Sequence, residues 1–273
     1  MPTLRSDQQE PHPARRLAES FGVDPARYDR ARPRYPDELL RRIAATAPGP
    51  DFLDVGCGTG ILARQLRALD RRVLGVEPDV RMADFARDTG IEVEVARFEE
   101  WAAAGRTFDA VVAGQTWHWV DPVAGAARAA EVLRSGGLLA LCWNAPRLPE
   151  ELAELTAAAY RRLLPDHPLL QQQARQSSTD AADPFAAFLG RAGDGIGRAG
   201  AFGEPEQWRT SWQRDYSKEE WLDGLPTAAG HDRFPPAVMT ELTRAIGAAI
   251  DAVGGRFTLT VNSVALVARR DRQ

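Results

Sequence analysis

The sequence predicts an α/β protein: a Rossmann-like, seven-stranded and mostly parallel sheet with helices on both faces and a helical cap or insertion. Three observations lead there. Five short apolar segments alternate with amphipathic ones between residues 52 and 143, a glycine-rich turn joins the first of these strands to its helix, and two further alternating segments near the C-terminus can extend the same sheet. With 273 residues, 44% of them hydrophobic, the chain is long enough to bury a core without crosslinks.

Residues 1–20 are rich in Pro, Gln and charge and read as a flexible lead with no apolar stretch of the secretory kind. Residues 21–273 read as one domain, with a lid segment over 21–48 and a cap insertion over about 145–205. In the lid, aromatics and arginines are interspersed (Phe21, Tyr28, Arg32, Arg34, Tyr35), and a helix is expected over Asp37–Ala47, capped by Asp37 and ended by Pro48-Gly49-Pro50. Phe52–Val55 is the first strand, Ile61–Leu69 a helix and Val73–Val76 the second strand, closed by Glu77 and Pro78. Asp79 can cap a helix through about Asp88, and Ile91–Ala96 alternates as an edge strand would. Phe108–Ala113, a helix over Pro122–Leu133 and Leu138–Trp143 complete the regular part. Beyond Asn144 the rhythm breaks. Glu150–Leu164 looks helical, Gln171–Gly200 is weakly patterned, Trp208–Tyr216 and Phe257–Ala268 alternate like strands, and Lys218–Leu225 and Pro236–Val253 look helical.

The formal net charge is −4, and Lys218 is the only lysine. No concentrated positive field is on offer, which disfavours nucleic acid or an anionic membrane as partner. Two cysteines, Cys57 and Cys142, make no disulfide framework, so a reducing, cytoplasmic setting is expected. No Cys/His spacing points to a metal. The apolar runs are strand-sized, far short of a membrane span.

The sharpest motif is Asp54-Val55-Gly56-Cys57-Gly58-Thr59-Gly60, between a strand and a helix. Glycines at alternate positions permit a tight turn and a close backbone approach to a ligand. Glu77 ends the next strand, 77 − 54 = 23 positions on, where a carboxylate can accept from two ribose hydroxyls. A dinucleotide fingerprint needs a third glycine where this chain has Ile61, and a pyrophosphate would be repelled by Asp54. A ligand carrying an amino group and a sulfonium cation suits the acid.

On these residues, together with Glu77-Pro78-Asp79, Ala96-Arg97-Phe98-Glu99, Leu138–Asn144 and the Phe21–Pro36 stretch, the sequence resembles the class I S-adenosylmethionine-dependent methyltransferases of small-molecule type, over roughly residues 21–145. The resemblance implies S-adenosyl-L-methionine as cofactor. Gly56, Cys57, Gly58, Gly60 and Gln115 would lie along its methionine and ribose parts, Asp54 would hold its amino end and Glu77 its ribose. Pro78, Phe98 and Glu99 would meet the adenine, and Tyr28 and Arg32 the carboxylate.

The fourth strand runs into Gly114-Gln115-Thr116-Trp117-His118-Trp119, at the edge where open α/β sheets bind ligands. His118 is the candidate general base if the acceptor must lose a proton, and serves equally as a polar wall residue. Trp117, Trp119 and Tyr35 are candidate acceptor contacts. His167 and His231 carry no assignment. Ala113-Gly114-Gln115-Thr116 stands where adenine methyltransferases of nucleic acids carry their N/D-P-P-Y/F motif, which argues against DNA or RNA as acceptor. A small molecule is expected instead, with Phe185, Phe188, Phe202, Trp208, Trp212 and Trp221 available to line its pocket. Methyl transfer is the expected reaction. Cyclisation at the sulfonium with release of methylthioadenosine, or cofactor binding without turnover, are the alternatives, and the oligomeric state is left open.

Overall fold

The computed structural model describes residues 20–165, 183–228 and 230–272. Its centre is one seven-stranded sheet of order β3-β2-β1-β4-β5-β7-β6. Strands β1 (Asp51–Val55), β2 (Arg72–Glu77), β3 (Glu92–Val95), β4 (Phe108–Gly114) and β5 (Leu133–Arg147) are mutually parallel. β7 (Arg256–Arg269) lies antiparallel between β5 and β6 (Glu206–Ser217). The edge position foreseen for the third strand is therefore real, but its burial does not alternate: Val93 is buried and Val95, on the same face, is exposed.

Side chains alternate across the sheet, so each strand feeds two cores. Leu53, Val55, Val111, Leu139 and Leu141 pack on one face with α5 (Pro122–Val132) and α7 (Ala186–Ala199). Phe52, Val73, Ala110, Val112 and Leu138 pack on the other with α2 (Asp37–Thr46), α3 (Ile61–Arg67) and α4 (Val80–Asp88). A third cluster, built on Leu242, Ile246, Ile250, Leu259 and Val261, joins α6 (Glu150–Leu163) and α9 (Pro236–Ala252) to the far half of β7. Each fully buried leucine or isoleucine in these layers contributes about 1.5–3 kcal/mol relative to exposure. Two short helices, α1 (Pro25–Ala31) and α8 (Lys218–Gly224), pack against each other.

Three expectations change. Asp37 does not cap α2: Pro36 occupies the cap position without a side-chain bond, and Asp37 sits in the first turn, where its charge complements the helix dipole. The described part of Gln171–Gly200 contains α7, whose Leu189, Ala192 and Ile196 belong to the core under β4 and β5, so this stretch closes a sheet face. Its small residues hid an apolar stripe of helical period. Phe185, Phe202, Trp208, Trp212 and Trp221 line neither large cavity at the carboxyl edge, and Phe188 lines only a small cleft there with His118 and Arg191. Phe185 and Trp208 are core, Trp208 lying under the Arg42 guanidinium at 3.9 Å, and the Trp212 indole N–H donates to Ser263. His167 falls outside the described residues. Among those residues, no helix is long and apolar enough to cross a membrane.

Candidate cofactor and acceptor site

The turn after β1 is held by backbone bonds: the N–H of Gly56 donates to the Val76 carbonyl at 2.7 Å and that of Gly60 to the Cys57 carbonyl at 2.8 Å. Gly56 has φ +60°, and a Cβ there would stand 2.1 Å from the Thr116 Cγ2, so this position admits no other residue without displacing the loop after β4. Gly58 has φ +55°, but a Cβ there would find nothing nearer than the Met82 Cε at 3.8 Å. The space in front of Gly58 is the cavity itself.

Glu77, at the end of β2, is buried with both oxygens engaged: Oε2 accepts from the Gly58 N–H and Oε1 from the Asp79 N–H, each at 2.9 Å. It clamps the loop in its open-fronted shape. Burial pushes its carboxyl up to about 7, against the pull of those two amides. Asp54 is only 1% exposed, and neither carboxylate oxygen has a hydrogen-bond partner. Burial, and secondly the negative Glu77, raise it to about 8, with the Ala63 backbone amide pulling weakly the other way. A buried carboxylate facing a cavity without a partner is costly, and a cationic ligand would satisfy it.

Asp54, Gly58 and Glu77 line a cavity of ≈ 210 Å³ together with Tyr28, Arg32 and Tyr35 and with Gln115, Trp119 and Asn144. Gly56, Cys57 and Pro78 line it as well. An adjoining cavity of ≈ 530 Å³ shares Glu77, Pro78, Asp79 and Trp119 and continues past Phe98 and Glu99 to His118 and Arg191. The segment 21–48 is tied to the glycine loop through an ion pair. Asp29 on α1 accepts from Arg64, whose Nη1 donates to the Thr59 carbonyl at 2.6 Å. Arg32 stacks on Tyr28 at 4.6 Å and on Phe21 at 5.6 Å, and donates to the Thr227 carbonyl.

Several predicted residues move to other roles. Gly60, with φ +82°, starts α3 and lines neither cavity. Trp117 is buried, its ring 6.2 Å from that of Phe98, and is a core residue rather than an acceptor contact. The Cys57 thiol packs against Gly75, while Cys57 remains part of the cavity lining. Glu99 accepts from the Asp121 N–H at 3.0 Å. His118 opens onto the larger cavity, with its ring 4.5 Å from Trp119 and 5.0 Å from Phe188 and a buried Nδ1 that has no partner. Burial, assisted by the Arg191 charge, lowers it to about 4, so at neutral pH it is an uncharged and very weak base. The residue that sequence reasoning missed is Asn144. It is buried in β5, three residues before the strand ends, where it accepts from the Ser263 hydroxyl at 2.6 Å and donates to the Arg34 carbonyl at 3.3 Å. A polar residue ending the apolar run of a central strand was the available signal.

A Glu77→Ala variant leaves two loop amides without an acceptor and removes the predicted ribose ligand. The expected outcome is a 30- to 100-fold loss of S-adenosylhomocysteine affinity by calorimetry, with the far-ultraviolet circular dichroism spectrum unchanged.

The doubly wound sheet thus has a glycine-rich first turn flanked by one unpartnered and one loop-clamping carboxylate. Residues 53–141 match a family model described as a methyltransferase domain. It is 39% identical over 135 residues to an uncharacterized methyltransferase of Mycobacterium tuberculosis, covering 48% of this chain and 54% of that protein. It is 31% identical over 140 residues to a ubiquinone biosynthesis O-methyltransferase of Cereibacter sphaeroides, covering 48% of this chain and 56% of that one. The chain thus spans about half the length of the curated relatives it matches. A solved structure from Anaeromyxobacter dehalogenans, described as a type II methyltransferase, shares the fold with TM-score 0.62 at 23% identity, covering 89% of this chain and 99% of that one.

Proposed function

We propose that the protein transfers the methyl group of S-adenosyl-L-methionine to a small molecule held under the N-terminal lid. The observation that carries this reading is Asp54, a carboxylate without a partner in the wall of a cavity whose glycine loop leaves open space for a ligand. Two relatives are named methyltransferases, one of them an O-methyltransferase, which supports the reading.

The residues fit this cofactor. Asp54 would take its ammonium group, directly or through water, and Glu77 its ribose hydroxyls, using lone pairs left over from the loop amides. Phe98 and Glu99, beside Pro78, offer the adenine an apolar wall and one acceptor in the larger cavity. Gln115 and Trp119 stand where β4 ends, with the Gln115 Nε2 donating to the Asn144 carbonyl at 2.7 Å. Gln115 also has φ +57°, a strained conformation for a residue with a side chain, held by its N–H donating to the Cys142 carbonyl at 2.8 Å. When bound, the cofactor supplies an electrophilic methyl on a positive sulfur. The chain supplies orientation, exclusion of water and the facing π-surface of Trp119, which account for much of the acceleration available to an in-line displacement.

The test is calorimetry with S-adenosylmethionine, S-adenosylhomocysteine and a nicotinamide dinucleotide, followed by incubation of methyl-labelled cofactor with a metabolite extract. Label in the small-molecule fraction together with S-adenosylhomocysteine is expected. Methylthioadenosine as the product, label in nucleic acid, or binding of the dinucleotide alone would overturn the proposal.

His118 is expected not to act as the base. The His118→Gln variant should leave the pH–rate profile between pH 6 and 9 unchanged. It should also lose less stability on acidification: a histidine whose folded pKa is lowered withdraws stability as pH falls from its unfolded value of about 6.5 toward about 4.

A further inference from the structure

A third cavity, of ≈ 510 Å³, lies on the other side of the lid from the glycine loop, between the segment that leads into α1 and the C-terminal helix α9. Its volume is in the range of ligand pockets. Phe21, Val23, Pro226, Thr227, Met239 and Thr243 line it. Its charged members are already paired with one another or nearby: Arg27 lies 3.6 Å from Asp24 and 3.3 Å from Asp223. His231 is likewise committed, with Nδ1 2.6 Å from the Leu225 carbonyl and Nε2 3.0 Å from the Tyr160 hydroxyl. Among the described residues the cavity therefore presents methyls, a thioether, rings and the threonines Thr227, Thr240 and Thr243, and its charged side chains are engaged in ion pairs.

It also abuts the cofactor and acceptor cavity. Phe21 lines both, and Arg32, stacked on Phe21, donates to the carbonyl of Thr227 in the wall of the third cavity. Val23, on the same turn of chain, is 67% exposed, an apolar surface that otherwise meets water.

Resting on the methyl-transfer reading above, we propose that the third cavity receives the apolar tail of an amphipathic acceptor. The polar head, bearing the atom to be methylated, sits against Tyr35, Gln115 and Trp119, and Phe21 is the partition the molecule passes. The substrate class is a small polar ring or head group carrying an extended hydrocarbon substituent. Removing that substituent from water supplies binding energy at about 25 cal/mol per Å², while the polar head alone carries the reacting atom.

The experiment uses the full chain and two probes, the apolar fluorophore N-phenyl-1-naphthylamine and its displacement by n-decanol, alongside calorimetry with S-adenosylhomocysteine. Wild type should bind the fluorophore, and decanol should displace it. Thr243→Trp and Met239→Trp, which fill the cavity from α9, should each weaken fluorophore binding at least tenfold while S-adenosylhomocysteine affinity stays within twofold. The retained affinity shows that the variants are folded. The inference falls if wild type takes up no fluorophore, if both variants bind it as wild type does, or if S-adenosylhomocysteine rather than decanol displaces it. Failure of S-adenosylhomocysteine to bind wild type would instead sink the methyl-transfer reading, and the fluorophore result would stand apart from it.

Discussion

Asp54→Asn is expected to lose at least a hundredfold in affinity for both S-adenosylmethionine and S-adenosylhomocysteine, and to show a weaker pH dependence of binding. Two hydrogen bonds from an ammonium group to a buried carboxylate are worth about 1.5–3 kcal/mol each, and Asn keeps the shape while removing the charge. Because S-adenosylhomocysteine keeps the ammonium but not the sulfonium, an equal loss for both ligands assigns Asp54 to the amino end. With Asp54 raised to about 8 and Glu77 to about 7, the empty wild-type site holds a proton at pH 7, and a cationic ligand expels it. Affinity should therefore rise with pH up to about 8, by at most about tenfold per unit. Calorimetry at pH 7 in two buffers of different ionisation enthalpy should show close to one proton released by wild type and less by the variant. The stability of the empty protein runs the other way. A carboxyl whose folded pKa lies above its unfolded value of about 3.9 withdraws stability as pH rises through that interval. Asp54→Asn should thus melt several degrees higher than wild type at pH 8.5. A variant that binds both ligands like wild type would remove the foundation of the proposed function.

Gly58→Val should abolish detectable cofactor binding by two additive effects. At φ +55° a β-branched residue is strained by about 1–3 kcal/mol, and its methyls would project into space whose nearest neighbour is now the Met82 Cε at 3.8 Å. The Gly58 N–H also donates to Glu77, so a shifted backbone would break the clamp on the predicted ribose ligand. Gly58→Ala separates the two effects: it adds the strain with a single carbon of bulk and should retain weak, measurable binding. Thermal melting of both variants within a few degrees of wild type, together with the binding loss, is the expected pair of results.

Much of this site was legible beforehand because its signals are local. The turn Asp54–Gly60 and Glu77 stand at strand ends, and strand ends are visible wherever apolar runs stop at Gly or Pro. The loop's function as a cradle follows from backbone conformations that glycine alone adopts easily, and these are written into composition. Asn144 was not legible as a site residue. Its importance comes from the Ser263 hydroxyl, 119 residues away, and from the Arg34 carbonyl, 110 residues away, meeting it in β5. His118 was legible as a titratable group but not as a weak base, because its shift depends on burial and on Arg191 arriving from α7. Trp117 and Trp119 were indistinguishable in sequence: a single 3₁₀ turn sends one ring into the core and leaves the other at the cavities.

The amino-acid sequence by itself determined the parallel sheet, the order in which its strands and helices alternate, and the carboxylates placed at the ends of β1 and β2. These depend on periodicity and on residues near one another in the chain. Only the tertiary structure decided that the two carboxyls are desolvated together, that Arg32 reaches Thr227, that His118 faces a different cavity from Tyr35, and that Phe21 stands between two cavities. Desolvation, pairing and enclosure depend on what every other part of the chain brings to the same few ångströms, and no window along the sequence contains that sum.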